Sequence, residues 1–379
     1  MRALKLFISL LILAAVYSVQ AAPSLIPSPP RISAGGHVLM DFHSNQVLSS
    51  DNPNEALEPA SLTKLMTAYT VFDELKRGNI ALDDEVLVSE KAWRMTGSRM
   101  FIEVGKTVSV EQLLKGMIIQ SGNDASVALA EFVAGSEDAF VALMNAHAEK
   151  LGLSGTHFVN STGMPAKNHY TTATDMAKLA AALIHEFPEY YPWYSEKKYT
   201  YNNISQSNRN LLLFRDDSVD GLKTGHTESA GYCLVASAER DDMRLISVVM
   251  GTDSEKARAR ETQKLLNYGF RFFETHKLYD ADKELKQVRI WKGEVEELPL
   301  GLAEALHVTV PRGQYQELEA TLRVGTTITA PVEAGQRVGT VSIKLGDDTL
   351  AERPLIALKD VAEGGLWQSI KDSVLLLFE

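Results

Sequence analysis

Three short stretches carry side chains whose types and spacing suit acyl chemistry. In Glu58-Pro-Ala-Ser61-Leu-Thr-Lys64 a hydroxyl and an amine stand three residues apart. On a helix, positions i and i+3 share a face, so the two groups can meet. A serine hydroxyl is a weak nucleophile and needs such a neighbouring base. Ser121-Gly-Asn123 offers a hydroxyl and an amide across one glycine. Lys223-Thr224-Gly225 offers a second amine, a hydroxyl, and a residue with no side chain to hold off a ligand or another backbone. Taken singly, each also reads as something bland: a capping serine with a solvated lysine, a helix–helix turn, a strand end. Short motifs match by chance, so their weight comes from standing together in one chain.

The elements that must position them are legible around each. Pro59 can open a helix but not continue one. After it Leu62, Leu65, Met66, Tyr69, Phe72 and Leu75 recur at helical spacing until Gly78. Ser61 is thus predicted in a first turn, where free N–H groups and the positive dipole end favour developing negative charge. Ser109-Val-Glu-Gln112 fits a capping box opening a helix so apolar that it must be buried. That helix breaks at Gln120-Ser-Gly-Asn-Asp124, and another runs on through Ala125 to Val133. The polar break is either a turn capped by Asn123 or Asp124, or a loop pushed into a cleft. Asp220-Gly-Leu-Lys-Thr-Gly-His226-Thr227 precedes two strands, Gly231 to Ala238 and Leu245 to Gly251. Lys223 therefore falls on or beside the leading strand of an antiparallel set. His37 to Phe42 and Gln46 to Ser49 read as a hairpin. Further helices are expected from Ser136 to about Leu151, from Thr172 through Ile184, and over 254–275. Residues 79–108 mix short strands and loops, and 189–218, with Arg209 in Ser207-Asn-Arg-Asn210, are aromatic and polar without a period.

Composition sets the bounds. The 379 residues suffice for two domains, and 45% apolar content is enough for real cores. A net charge of −11 argues against nucleic acid as a partner. Arg2, Lys5, an apolar run from Leu6 to Val16 and Val19-Gln-Ala21 read as an export signal over residues 1–21, too short for a comfortable membrane span. Cys233, the single cysteine, excludes an internal disulfide and a cysteine-based metal site. It lies in an apolar strand and reads as a buried small hydrophobe. His147, His157, His169 and His185 lack metal-ligand spacing, and His43 reads as a turn residue. No metal or cofactor is expected.

Residues 22–36 read as a linker, and 37–278 as the chemistry-bearing domain. From Lys286 to about Lys359 the chain alternates in short runs broken by glycine and proline, a small all-β domain placed at 284–362. In 364–379, Leu366, Trp367, Ile370, Val374, Leu377 and Phe378 fall on one helical face, with Lys371 and Asp372 opposite. Too short to span a bilayer, this amphipathic helix is expected to lie in a membrane interface, detached from the domain by Gly364-Gly365. The alternative is a terminal helix docked on its own domain.

Together, Ser61-x-x-Lys64, Ser121-x-Asn123 and Lys223-Thr-Gly225 behind an export signal match the set of penicillin-binding proteins and class A β-lactamases. Pro59-Ala-Ser-Leu-Thr-Lys64, Ser121-Gly-Asn-Asp-Ala125 and Asp220-Gly-Leu-Lys-Thr-Gly-His-Thr227 make the match closer. Nearly the whole chain resembles the low-molecular-mass penicillin-binding proteins of the D-alanyl-D-alanine carboxypeptidase type. The resemblance implies an α+β fold: a transpeptidase-like domain with helices on both sides of an antiparallel sheet, then the β domain and the anchor.

It also implies roles. Ser61 attacks the peptide bond between two terminal D-alanines of a peptidoglycan stem pentapeptide, and Lys64 takes its proton. Lys64 would be a useful base only if burial and a nearby cation, Lys223, lowered its usual pKa of ~10.4. Ser121 relays a proton to the departing D-alanine, Asn123 holds the substrate amide, and the N–H groups of Ser61 and His226 form an oxyanion hole. Lys223, Thr224 and Arg209, beside Gly225, receive the terminal carboxylate. β-Lactams would acylate Ser61, and the location implied is the periplasmic face of the bacterial inner membrane. A β-lactamase is disfavoured because no Glu-x-x-Asn stretch lies between Asn123 and Lys223. A DD-endopeptidase and a non-catalytic wall-binding protein remain as alternatives.

Overall fold

The computed structural model describes residues 26–375. The export signal and the terminal Leu377 and Phe378 lie outside the described residues. Gly36–Asp41 (β1) and Val47–Asp51 (β2) form a hairpin. Val219–Thr227 (β7), Gly231–Arg240 (β8) and Met243–Thr252 (β9) complete a five-stranded antiparallel sheet in the order β2-β1-β9-β8-β7. Side chains alternate across it, as a strand's period of two requires. Ile246 and Val248 face one core, Leu245 and Val249 the other. Cys233 is fully buried in the first, as its apolar surroundings suggested.

Lys64–Lys76 (α1), Val110–Gln120 (α3), Asn123–Ala134 (α4), Glu137–Lys150 (α5) and Ala173–Glu186 (α6) build the core on one side of the sheet. Glu255–Phe272 (α7) covers the other side through Leu265, Leu266 and Phe270. The caps fall where sequence placed them. Ser109 and Gln112 make a reciprocal capping box, and Ser136 and Thr172 each accept an N–H of the first turn.

Three segments differ from expectation. The helix predicted from Pro59 starts as a 3₁₀ turn, Ala60–Thr63, and becomes α-helical only at Lys64, because Ala60 sits at φ +45°. Residues 79–108 hold the short helix Glu90–Trp93 (α2) beside a small pair, Glu85–Leu87 (β3) with Thr107–Ser109 (β4). Within 189–218 a hairpin of Lys198–Tyr201 (β5) and Ile204–Ser207 (β6) turns on Asn202-Asn203, both at positive φ. An Asn-Asn pair is a usable hairpin signal, legible had the flanking strands been longer.

The second unit is all β. Phe273–Tyr279 (β10) pairs with Leu306–Pro311 (β13). Lys286–Arg289 (β11), Glu297–Gly301 (β12), Leu318–Val324 (β14), Arg337–Leu345 (β15) and Asp348–Ala357 (β16) form a sheet in the order β11-β12-β16-β15-β14, with its own apolar core. Pairing begins at Phe273, directly after α7, so the unit starts earlier than the expected boundary of 278–284. It is tied to the first: the Asp41 carboxylate accepts from Thr275 Oγ1 at 2.7 Å, and Ser44 Oγ lies 2.6 Å from Thr309 Oγ1.

The last helix, Leu366–Leu375 (α8), corrects one expectation. Expected to be detached from the domain by Gly364-Gly365, it is docked on it: Asp372, opposite the apolar face as read, is 1% exposed and accepts from Lys292 N, while Trp367 is 87% exposed. The polar face is turned onto the β domain and the apolar face outward. No helix among the described residues is long and apolar enough to cross a membrane.

Candidate active site

The three motifs converge on one cleft of about 400 Å³ whose lining includes Ser61, Ser121, Asn123, Thr224, Gly225 and His226. Ser61 stands in the turn between the strained Ala60 and the start of α1. A non-glycine residue at positive φ is uncommon and persists only where its surroundings impose it. Here two glycines lie close against the turn. A Cβ on Gly163 would lie 1.8 Å from Ala60 O. One on Gly225 would lie 3.0 Å from Pro59 O and 3.3 Å from Leu62 N. The edge strand β7 can therefore approach the Ser61 turn only because residue 225 has no side chain.

Lys64, 1% exposed, aims its amine at three oxygens: Ser61 Oγ at 3.1 Å, Asn123 Oδ1 at 2.7 Å and Thr162 O at 2.5 Å. Two of these are amide oxygens and can only accept. A neutral amine satisfies both with its two N–H bonds, leaving its lone pair toward the one partner that also carries a proton, the Ser61 hydroxyl. Burial lowers the Lys64 pKa to about 7, with the Arg209 charge adding to the fall and Asp124 opposing it. Arg209 is a cation acting on Lys64 that the sequence did not point to. Lys223 is itself pushed well below the usual lysine range by burial, then by Lys64, Arg209 and Arg258.

Ser121, at the αL position that ends α3 (φ +67°), projects its hydroxyl to Lys223 Nζ, which donates to it at 2.9 Å. The break between α3 and α4 is therefore a cleft wall, and the polar groups in it are paired. Asn123, expected to hold the substrate amide, is bonded within the protein on both sides. Its oxygen accepts from Lys64 and its nitrogen donates to Thr96 O at 2.7 Å, so in this conformation it positions Lys64 rather than offering a free amide. The Asp124 carboxylate accepts from the N–H groups of Met100, Phe101 and Ile102, fixing the loop that brings Gly97 and Ser98 to the cleft. His226, exposed at the rim, stacks on Tyr232 with ring centroids 3.9 Å apart.

Arg209 lines the mouth of the cleft. Its turn is held by Asn210, which donates to Gly221 O at 3.0 Å and accepts from Leu212 N. Gln120, with its amide oxygen turned toward the cations, accepts from Arg209 at 3.1 Å and from Gln206 at 3.0 Å.

Sequence reasoning missed two contributors. Arg258 on α7 is 5% exposed, lines the cleft and donates to Gly225 O at 3.0 Å. Its only signal was a basic residue on the otherwise apolar face of an amphipathic helix. Thr162 acts through its backbone carbonyl, set by Asn160 Oδ1, which accepts from Thr162 N and Gly163 N. The Asn-Ser-Thr-Gly string marked a turn but not what the turn would face. Thr63 Oγ1 lies 2.7 Å from His169 Nε2, a structural place for that histidine. Among the described residues no cluster of histidine, cysteine and carboxylate side chains is fit for a metal.

Residues 24–254 match a peptidase family, Peptidase_S11, described as D-alanyl-D-alanine carboxypeptidase. Residues 273–363 match the C-terminal domain of penicillin-binding protein 5. The chain is 46% identical over 357 residues to the D-alanyl-D-alanine carboxypeptidase DacC of Escherichia coli, covering 92% of this chain and 89% of that one. Its fold is similar to penicillin-binding protein 5 of Haemophilus influenzae, with a TM-score of 0.85 and 42% identity over 89% of this chain and all of that one. It is also similar to the ampicillin-bound penicillin-binding protein D2 of Listeria monocytogenes, with a TM-score of 0.60 and 30% identity over 64% of this chain and all of that one.

Proposed function

The chain belongs to the S11 family of serine peptidases and is a D-alanyl-D-alanine carboxypeptidase; from that premise we propose how its cleft performs the reaction. Lys64 takes the Ser61 proton, and Ser61 Oγ attacks the carbonyl carbon of the penultimate D-alanine of a peptidoglycan stem peptide. The oxygen that gains charge lies against the N–H groups of Ser61 and His226, donors that pay no reorganisation cost in the transition state. Ser121, bonded to Lys223, gives its proton to the amine of the terminal D-alanine as the bond to the carbonyl breaks, and takes in its place the proton held on Lys64, which is left neutral again. Water then attacks the Ser61 ester; Lys64 takes one proton from it and passes that proton to Ser61 Oγ as the shortened peptide leaves.

Arg209 and the buried Arg258 make one end of the cleft cationic, and the Thr224 hydroxyl and Lys223 amine add donors there, which suits the free carboxylate of the substrate. A β-lactam, with its strained amide and nearby carboxylate, takes the same place and acylates Ser61. The observation that carries this reading is the buried Lys64 amine, 3.1 Å from Ser61 Oγ and otherwise ringed by oxygens that can only accept. Ser61→Ala is expected to abolish both fluorescent-penicillin labelling and D-alanine release from diacetyl-Lys-D-Ala-D-Ala. Release persisting above ~1% of the wild-type rate would remove Ser61 from the nucleophile's role.

The location belongs to the same proposal. After export, α8 holds the protein on the periplasmic face of the inner membrane by laying Leu366, Trp367, Ile370 and Val374 into the lipid interface. Their exposure of 84%, 87%, 55% and 50% supports it, since a soluble domain gains nothing by turning such a face to water.

A further inference from the structure

The anchor of a peripheral protein can be a loose tether or a built part of the domain it serves, and α8 carries the features of the second. Its one buried residue is Asp372. One carboxylate oxygen accepts from the backbone N–H of Lys292 at 2.6 Å and lies 3.4 Å from Gln368 Nε2. The other lies 3.7 Å from the Arg289 guanidinium. Lys371 reaches Glu296 at 3.4 Å. The chain entering the helix is stitched to the same loop: Gly364 N donates to Lys292 O at 2.7 Å, and Glu294 N donates to Ala362 O at 3.0 Å.

Gly364 is not a hinge in this arrangement. A Cβ there would lie 2.6 Å from Gly293 O, so the glycine permits close docking, while Gly365 has open space around it. A buried carboxylate is costly unless it is compensated: in this pose one Asp372 oxygen is hydrogen-bonded, and the other has no hydrogen bond among the described residues but faces the Arg289 charge at 3.7 Å. The pose turns every large apolar residue of the helix outward.

We propose that Asp372 latches α8 to the second domain, so that the helix meets a lipid surface as a rigid plate. The inference rests on the membrane reading above for its purpose, though the latch itself is a property of the protein in solution. A plate fixes what a tether leaves free. The second domain is joined to the first through Asp41 with Thr275 and Ser44 with Thr309. Orienting it at the bilayer therefore sets the height and tilt at which the Ser61 cleft is held. The described part of the plate has no basic stripe, since Lys371 is the one basic residue of Leu366–Leu375 and is paired with Glu296, so apolar insertion is its mode of contact and uncharged lipid should suffice.

The test uses the mature full chain, Asp372→Ala, and Trp367→Glu as a variant that spoils the apolar face without touching the latch. In solution without lipid, amide exchange over 366–375 is expected to be slow in the wild type and faster by roughly a hundredfold in Asp372→Ala. With phosphatidylcholine vesicles, wild type and Asp372→Ala should sediment within about threefold of each other, and Trp367→Glu should stay in the supernatant. A fluorescent penicillin on Ser61, read by energy transfer to a bilayer dye, should give one narrow height in the wild type and a broad distribution in Asp372→Ala. Equal exchange rates in solution overturn the latch, whatever the vesicles show. Equal height distributions on bound protein overturn the rigid plate. A wild-type protein that ignores vesicles overturns the membrane reading and leaves the exchange result to decide the latch alone. D-alanine release from a soluble peptide, unchanged in both variants, confirms that the first domain is intact.

Discussion

A lysine that must be neutral to work ties activity to pH. Burial and the Arg209 charge hold Lys64 at about 7, so acylation of Ser61 should rise as pH passes ~7 and fall below it as Lys64 gains a proton. Arg209→Met removes a cation that disfavours the charged amine, so the Lys64 pKa should rise and the limb should move to higher pH. Penicillin acylation rates followed from about pH 5.5 to 9 read the position of that limb apart from its amplitude. A limb that stays in place would assign the titration to another group. At this scale Ser61, Lys64, Ser121 and Lys223 were legible because their side-chain chemistry is unusual in that order and spacing. Arg258 and the Thr162 carbonyl were not. Arginines are common on amphipathic helices, and a backbone carbonyl has no sequence signature at all.

The elements hold this cleft by close approach, which glycine makes possible. Gly225→Ala would push β7 from the Ser61 turn by a few tenths of an ångström. A drop of at least tenfold in kcat/KM is expected with only ~1–3 kcal/mol lost from stability, as overpacking usually costs. Gly163→Ala is the harsher change: φ is +85° and the added carbon would overlap Ala60 O. It should lower Tm more than Gly225→Ala and cut penicillin labelling further; the reverse ranking would sink the account. Asp124→Ala frees the backbone N–H groups of Met100, Phe101 and Ile102, and that of Ala125, at once. Amide exchange at Met100, Phe101 and Ile102 should speed up, with about 1.5–3 kcal/mol lost, the range for bonds to a charged acceptor. The helices around these points were predictable from period and caps. The 3₁₀ turn under Ser61 was not, because the room it needs is left by Gly163 and Gly225, more than a hundred residues away.

Over the whole molecule the proposed reading gives the first domain the chemistry and the second the placement at a lipid surface. Deleting residues 365–379 should release the protein from vesicles while D-alanine release from a soluble peptide stays within about twofold of wild type, since nothing in the cleft touches α8. A truncated protein that still sediments would move the membrane contact elsewhere. Sequence alone determined what is local: the pairing of Ser61 with Lys64 across one helical turn, the capped starts of α3, α5 and α6, the alternation of the sheet and the apolar stripe of α8. These follow from fixed periods of 3.6 and 2, which a reader of residues can count. Only the tertiary structure decided which oxygens surround Lys64, that Ser121 and Lys223, 102 residues apart, share a hydrogen bond, and that Asp372 turns inward. Contacts of that kind are set by strand order and close packing, which join distant segments through forces that leave no periodic mark on the chain.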